Sequence, residues 1–209
     1  MADLFSFSVP VDNDLANMQL PSPELLNQYR LTDRRIIYID YEIDLSILEV
    51  QKQIILFNQE DDDHDIPIEK RTPIKILIDS PGGYLAETMS LAAVIEMSKT
   101  PIWTFNMVEA FSGASILLIS GHRKFAMPYS VALVHTGSGG MSGTHEQVVA
   151  QTRQYEKEVK VMGDYIINHT NIDQKTYNKK KKDEWYLTAE EQLQYGLVDE
   201  IITNIFDLL

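Results

Sequence analysis

The chain contains no cysteine. That absence excludes disulfides, a thiol nucleophile and thiolate metal sites, leaving hydroxyl, carboxylate and imidazole groups to do any chemistry. Positive charge is scarce too: 18 Lys and Arg against 31 Asp and Glu give a formal charge of -13. This disfavours nucleic acid or an anionic membrane as the main partner, since both need a basic surface. No apolar run reaches the length of a membrane span, and Met1-Ala2-Asp3-Leu4 lacks a basic region followed by an apolar one. A cytoplasmic protein is expected, with no metal and no cofactor.

What is present suffices for one large core. With 209 residues, 44% hydrophobic and 23% charged, a single α/β domain is ordinary. Residues 1–34, with Pro10, Pro21 and Pro23, show no long period and are expected to form an arm with a short helix at 24–29. Residues 35–209 are expected to form one domain. Arg35-Ile36-Ile37-Tyr38-Ile39 reads as a short buried strand, and Leu45, Leu48, Ile54, Ile55 and Phe57 fall near helical spacing, predicting a core-facing helix. Glu60-Asp61-Asp62-Asp63-His64-Asp65 lacks the glycine and spaced ligands of a calcium loop, so a solvated acidic loop is expected.

Pro73-Ile74-Lys75-Ile76-Leu77-Ile78-Asp79 is the clearest strand, followed at once by Ser80-Pro81-Gly82-Gly83. Two glycines there let the backbone take positive φ and approach a ligand closely. Residues 84–97 have helical spacing through Leu85, Met89, Ala92, Ala93 and Ile95, and Ile102-Trp103-Thr104-Phe105 is β-leaning. Strand, helix, strand makes a βαβ unit and implies a parallel sheet, in which ligands sit at the carboxyl ends of strands.

At such an end lies Met107-Val108-Glu109-Ala110-Phe111-Ser112-Gly113-Ala114-Ser115-Ile116-Leu117-Leu118, read as strand, turn and buried helix starting near Ser112. A serine there can cap the helix. It can also attack an electrophile, helped by the helix dipole and by free amides that hold an oxyanion. Taken alone the motif favours the cap, and Ser115, one turn later, competes for either role. Ser130-Val131-Ala132-Leu133-Val134-His135 is a strand closing on a histidine, which gives His135 a geometric reason to meet Ser112. A lone histidine there would be read as a hydrogen-bonded structural residue.

Residues 136–143 are glycine-rich without a P-loop lysine, so a phosphate cradle is rejected. Residues 144–169 read as one long helix with an apolar stripe of Val148, Val149, Tyr155, Val159, Met162, Tyr165 and Ile166, an oligomerisation element or an intramolecular packing face. Lys179-Lys180-Lys181-Lys182 reads as a solvated helix end. Thr188-Ala189-Glu190-Glu191 is a capping box for a short helix to Tyr195, closed by Gly196.

From about residue 35 to 202 this order of parts resembles the ClpP family, the proteolytic subunit of the Clp ATP-dependent protease. The matching pieces are Ile78-Asp79-Ser80-Pro81-Gly82-Gly83, Ala110-Phe111-Ser112-Gly113-Ala114, Met127-Pro128 with Val134-His135, and Tyr186-Leu187-Thr188-Ala189-Glu190-Glu191 with Tyr195-Gly196-Leu197-Val198-Asp199. The resemblance implies an α/β fold, a ClpP/crotonase-like β-β-α spiral with a parallel sheet and a protruding strand-helix handle at about 137–169. It puts Ser112 on the nucleophile, His135 on the general base, and Gly83 and Gly113 on the oxyanion-hole amides. The family's aspartate, four residues before the position of Thr188, falls on Glu184, with Asp183 beside it; an acid from this pair is expected, Glu184 placed first. Gly113 stands where the family often carries a larger apolar residue. The resemblance further implies a homo-oligomer of heptameric rings degrading peptides and unfolded proteins fed by an AAA+ Clp ATPase. Two other readings stay open: a catalytically silent ring subunit, and a crotonase-like acyl-CoA enzyme.

Overall fold

The computed structural model describes residues 22–208; residues 1–21, with Pro10 and Pro21 of the expected arm, and residue 209 lie outside the described residues. The chain parts into two compact units, Met1–Arg34 and Arg35–Leu209. In the first, helix α1 (Pro23–Asp33) runs longer than the expected 24–29. Its start is set locally by the Ser22 hydroxyl, which accepts from the Leu25 amide at 3.2 Å, and by Pro23 in the first turn.

The second unit is built on a seven-stranded sheet. β1 (Ile36–Ile39), β2 (Ile74–Ser80), β3 (Ile102–Phe111), β4 (Arg123–Ala126) and β7 (Glu200–Ile201) lie side by side and parallel. β2 is buried along nearly its whole length, as strands covered on both faces are. β3 spans 10 residues where a strand over 102–105 was expected. It serves two neighbours: residues 103–106 pair with β4 and residues 109–111 with β5 (Val131–Val134). A register shift allows this, because Ile78 faces Asn106 whereas Ser80 faces Ala110, so the extra residues bulge on β3 and re-aim it. β6 (Trp185–Leu187) then closes on β5 antiparallel.

Helices α2 (Ile47–Asp63), α3 (Leu85–Met97) and α4 (Gly113–Ser120) pack in sequence, α2 on α3 and α3 on α4. Every residue of α4 is buried, the state of a helix that is apolar on all sides. α2 departs from expectation in two ways. Its buried face is Ile47, Val50 and Ile54, while Leu45, Leu48 and Ile55 are exposed. And the expected acidic loop is the last turn of this helix, with Asp61, two turns after Ile54, on the buried face. The Asp61 carboxylate accepts from both Arg35 guanidinium nitrogens at 2.8 and 2.7 Å and from the Thr100 hydroxyl at 2.6 Å. Asp62 pairs with Arg71 and Lys99. Glu60, Asp62, Asp63, His64 and Asp65 are exposed, as the composition of the run suggests; its place on the helix turns Asp61 alone inward.

α5 (His145–His169) starts at a reciprocal capping box between Thr144 and Gln147. Residues 136–143 form no strand. Of the expected stripe, Met162 and Ile166 enter the core, whereas Val148, Val149, Tyr155 and Val159 are only half-buried. The lysine run ends α6 (Gln174–Lys180), where Lys180 lies over the Trp185 ring at 5.6 Å and Lys181 over Tyr177 at 5.7 Å. α7 (Ala189–Gln194) begins with the Thr188–Glu191 capping box and is followed by Gly196 at φ 72.

Candidate active site

β3 passes into α4 through one residue, Ser112, at φ 54 and ψ -119. A residue with a Cβ is strained there, by roughly 1–3 kcal/mol, and needs neighbours to hold it. The Ser112 amide donates to the Leu133 carbonyl at 3.0 Å. Its carbonyl accepts from the Ser115 amide at 3.0 Å and the Ser115 hydroxyl at 2.7 Å. Ser115 is thereby spent on fixing the turn. The Ser112 side chain makes no capping hydrogen bond, so the cap favoured for the isolated motif is not its role. Its Oγ lies instead 2.7 Å from His135 Nε2.

The antiparallel ladder between β5 and β6 explains the other side of the imidazole. Leu133 faces Tyr186 and Val134 faces Trp185, so one more step sets residue 135 opposite residue 184. Val134 and Trp185 point into the core. By alternation His135 and Glu184 share the opposite face, and His135 Nδ1 meets Glu184 Oε1 at 3.2 Å. Asp183 is one residue out of phase; its amide donates to the Lys180 carbonyl in the turn after α6. Because an ionised carboxylate only accepts, Nδ1 carries the hydrogen and Nε2 presents its lone pair to the Ser112 hydroxyl. The His135 side chain is 17% exposed and that of Glu184 60%. One row below, Phe111, Leu133 and Tyr186 are in register, and the two rings meet edge-on at 5.6 Å.

The glycine pair lies against this turn. A Cβ on Gly82, at φ 90, would overlap the Phe111 carbonyl oxygen and come within 2.9 Å of the Gly113 nitrogen and Ser112 Cβ. Ser80 sets the loop: its hydroxyl donates to the Tyr41 carbonyl at 2.6 Å and accepts from the Gly82 amide at 3.2 Å. Ile43 then bridges the loop, its amide donating to the Gly82 carbonyl at 2.7 Å and its carbonyl accepting from the Tyr84 amide at 2.9 Å. The Gly83 amide between them is outside this pairing. A Cβ on Gly83 would overlap the Ile43 carbonyl. The Gly113 amide opens α4, where first-turn amides have no intrahelical acceptor.

Two buried amides behind the site escape sequence reasoning. Asn106 Nδ2 donates to the Val131 carbonyl and to Gln192 Oε1, both at 3.0 Å. Gln192 Nε2 donates to the Ser130 and Leu187 carbonyls, both at 3.1 Å. Together they tie β3 to the strands that carry His135 and follow Glu184. The only available signal was an asparagine among the apolar neighbours Phe105 and Met107. Gln192→Met, nearly isosteric, should cost about 1–3 kcal/mol by leaving buried polar groups unpaired. Urea unfolding measures this; an unchanged midpoint would contradict the role.

A parallel α/β sheet whose strand ends gather a hydroxyl, an imidazole and a carboxylate in one hydrogen-bonded line has the layout of a serine-class hydrolase. The Clp protease family model matches residues 24–205, and the chain belongs to that family of serine peptidases. It is 32% identical over 178 residues to ATP-dependent Clp protease proteolytic subunit 2 of Corynebacterium glutamicum, covering 83% of this chain and 84% of that one. The protein of the same name from Thermobifida fusca is 27% identical over 205 residues, covering 95% and 97%. The chain is thus a Clp-type peptidase, and neither the silent subunit nor the crotonase-like enzyme is favoured. Among the described residues no helix is long and apolar enough to cross a membrane.

Proposed function

We propose that Ser112 is the nucleophile, His135 its general base and Glu184 the acid that orients the imidazole, with the Gly83 and Gly113 amides receiving the oxyanion. What carries this reading is the imidazole between two partners, 2.7 Å from the serine oxygen and 3.2 Å from the glutamate oxygen. His135 takes the Ser112 proton as Oγ attacks a peptide carbonyl. The two amides stabilise the tetrahedral oxygen, His135 protonates the leaving amine, and water, activated by the same imidazole, later cleaves the acyl-enzyme. The relatives are named as proteolytic subunits of an ATP-dependent protease. By that likeness this chain assembles into heptameric rings in the cytoplasm and degrades unfolded polypeptides delivered by an AAA+ Clp ATPase. The half-buried stripe of α5 supports association with further copies. Residues 1–34 form the arm of this assembly and residues 35–209 its peptidase domain.

The acid is tested by exchange. Glu184→Gln keeps the shape but offers an amide that can turn its donor toward Nδ1, so kcat on a fluorogenic peptide should fall about 10²-fold, less than for a buried triad acid because Glu184 is exposed. Asp183→Ala should leave kcat within about two-fold, since the pleat points that side chain away. The reverse pattern would move the role to Asp183.

A further inference from the structure

Thr88 lies in the second turn of α3, fully buried, and its hydroxyl donates back to the Tyr84 carbonyl at 2.9 Å. That bond, on a β-branched side chain, locks χ1. The locked side chain points at the residue after Ser112. A Cβ built on Gly113 would lie 2.5 Å from Thr88 Oγ1, 3.4 Å from Thr88 Cγ2 and 3.5 Å from Ile43 Cδ1. Gly113 has an ordinary φ, so it is the filled space and not the backbone that demands glycine here.

The two neighbours that occupy this space also govern the other amide. Ile43 bridges the Gly82-Gly83 turn through its main chain, and Thr88 sits in the helix that this turn opens into. One short segment therefore presents the Gly83 amide and, through Thr88, a wall for Gly113 to rest on. We propose that Thr88 is a positioning residue for the reaction: it fixes the gap between the two oxyanion amides, and glycine at 113 is its obligatory complement. This rests on the assignment of Ser112 as nucleophile. An added methyl at 113 must displace either the start of α4 or α3. Oxyanion donors act only within about 2.7–3.1 Å of the developing charge, so even a few tenths of an ångström would weaken transition-state binding while leaving ground-state binding alone.

The test uses the assembled protein with a fluorogenic peptide, and a peptide boronate whose tetrahedral adduct places an oxygen where the oxyanion forms. Gly113→Ala should lower kcat about 10²-fold with KM within about two-fold, and weaken boronate binding in parallel. Adding Thr88→Ala should restore kcat to within about ten-fold of the original. Adding Thr88→Val, which keeps the branched bulk, should restore nothing. If Gly113→Ala does not assemble, Thr88→Ala alone should lower kcat several-fold by giving Gly113 slack, with Thr88→Val, which refills the space, recovering it. A Gly113→Ala enzyme with unchanged kcat, a loss confined to KM, or a double variant no better than the single would each overturn the proposal. Ser112→Ala, run alongside, separates the two claims: activity surviving there overturns the nucleophile assignment, whereas activity lost there but unaffected by Gly113→Ala overturns only the role of Thr88.

Discussion

Ser112→Ala is expected to abolish peptide hydrolysis, lowering kcat by about 10⁴- to 10⁶-fold, the range seen when a serine nucleophile is removed from a working triad. The size of the effect follows from the geometry of one side chain. Ser112 Oγ makes no capping bond and meets His135 Nε2 at 2.7 Å, so removing it takes away the atom we propose to attack and little else. The turn is held by the main chain of Leu133 and by Ser115, both intact in the variant, and the strained φ is no worse for alanine than for serine. Stability should therefore change by less than about 1 kcal/mol, a prediction separable from activity by measuring unfolding and turnover on the same sample. Turnover reduced only a few-fold would mean that another group attacks.

The largest expected effect on stability lies far from the chemistry, at Asp61. Asp61→Ala should cost about 3 kcal/mol, because it takes the two-pronged acceptor from an Arg35 side chain that is 13% exposed, leaving it Glu60 and the Thr72 carbonyl, each at 3.2 Å, and removes the acceptor of the buried Thr100 hydroxyl. For a chain of this size the midpoint of thermal unfolding should drop on the order of 10 °C. The pH dependence follows from the same contacts. The Arg35 guanidinium, ahead of the Thr100 hydroxyl, holds the Asp61 carboxyl below the ordinary carboxylate range. A folded-state value below the unfolded one means that the unfolded chain binds more protons in between. The stability contributed is therefore complete above about pH 4 and is lost as pH falls through the folded value. Asp61→Asn should flatten that acid limb, measured as the unfolding midpoint against pH; a limb identical to the parent's would assign the acid sensitivity elsewhere.

The chain's periodicity made most of the scaffold legible. The βαβ pattern around Ser80-Pro81-Gly82-Gly83, the buried helix after Ser112 and the strand ending in His135 all follow from apolar spacing and punctuation, which local physics writes directly into residue order. Pairing does not. Nothing in residues 102–111 says that β3 splits between β4 and β5, since that depends on a bulge opposite Ser80. Which of Asp183 and Glu184 meets His135 likewise depends on the register of β5 on β6, and the pleat puts Glu184 there. Asp61 departs from expectation for a related reason: five acids around one histidine look solvated, and only the extension of α2 by a further turn and the arrival of Arg35 show one of them turned inward. Thr88 gave no signal at all, because its meaning lies in the volume it denies to Gly113.

The account stands or falls on whether the oxygen of residue 112 is the reactive atom of the assembled protein. Exposure to a fluorophosphonate followed by intact-mass analysis and peptide mapping reads this directly. One adduct per chain is expected, on the peptide containing Ser112, absent in Ser112→Ala and strongly slowed in His135→Ala. An adduct on Ser115 or elsewhere, or a protein that cleaves peptides while Ser112 stays unmodified, would contradict it.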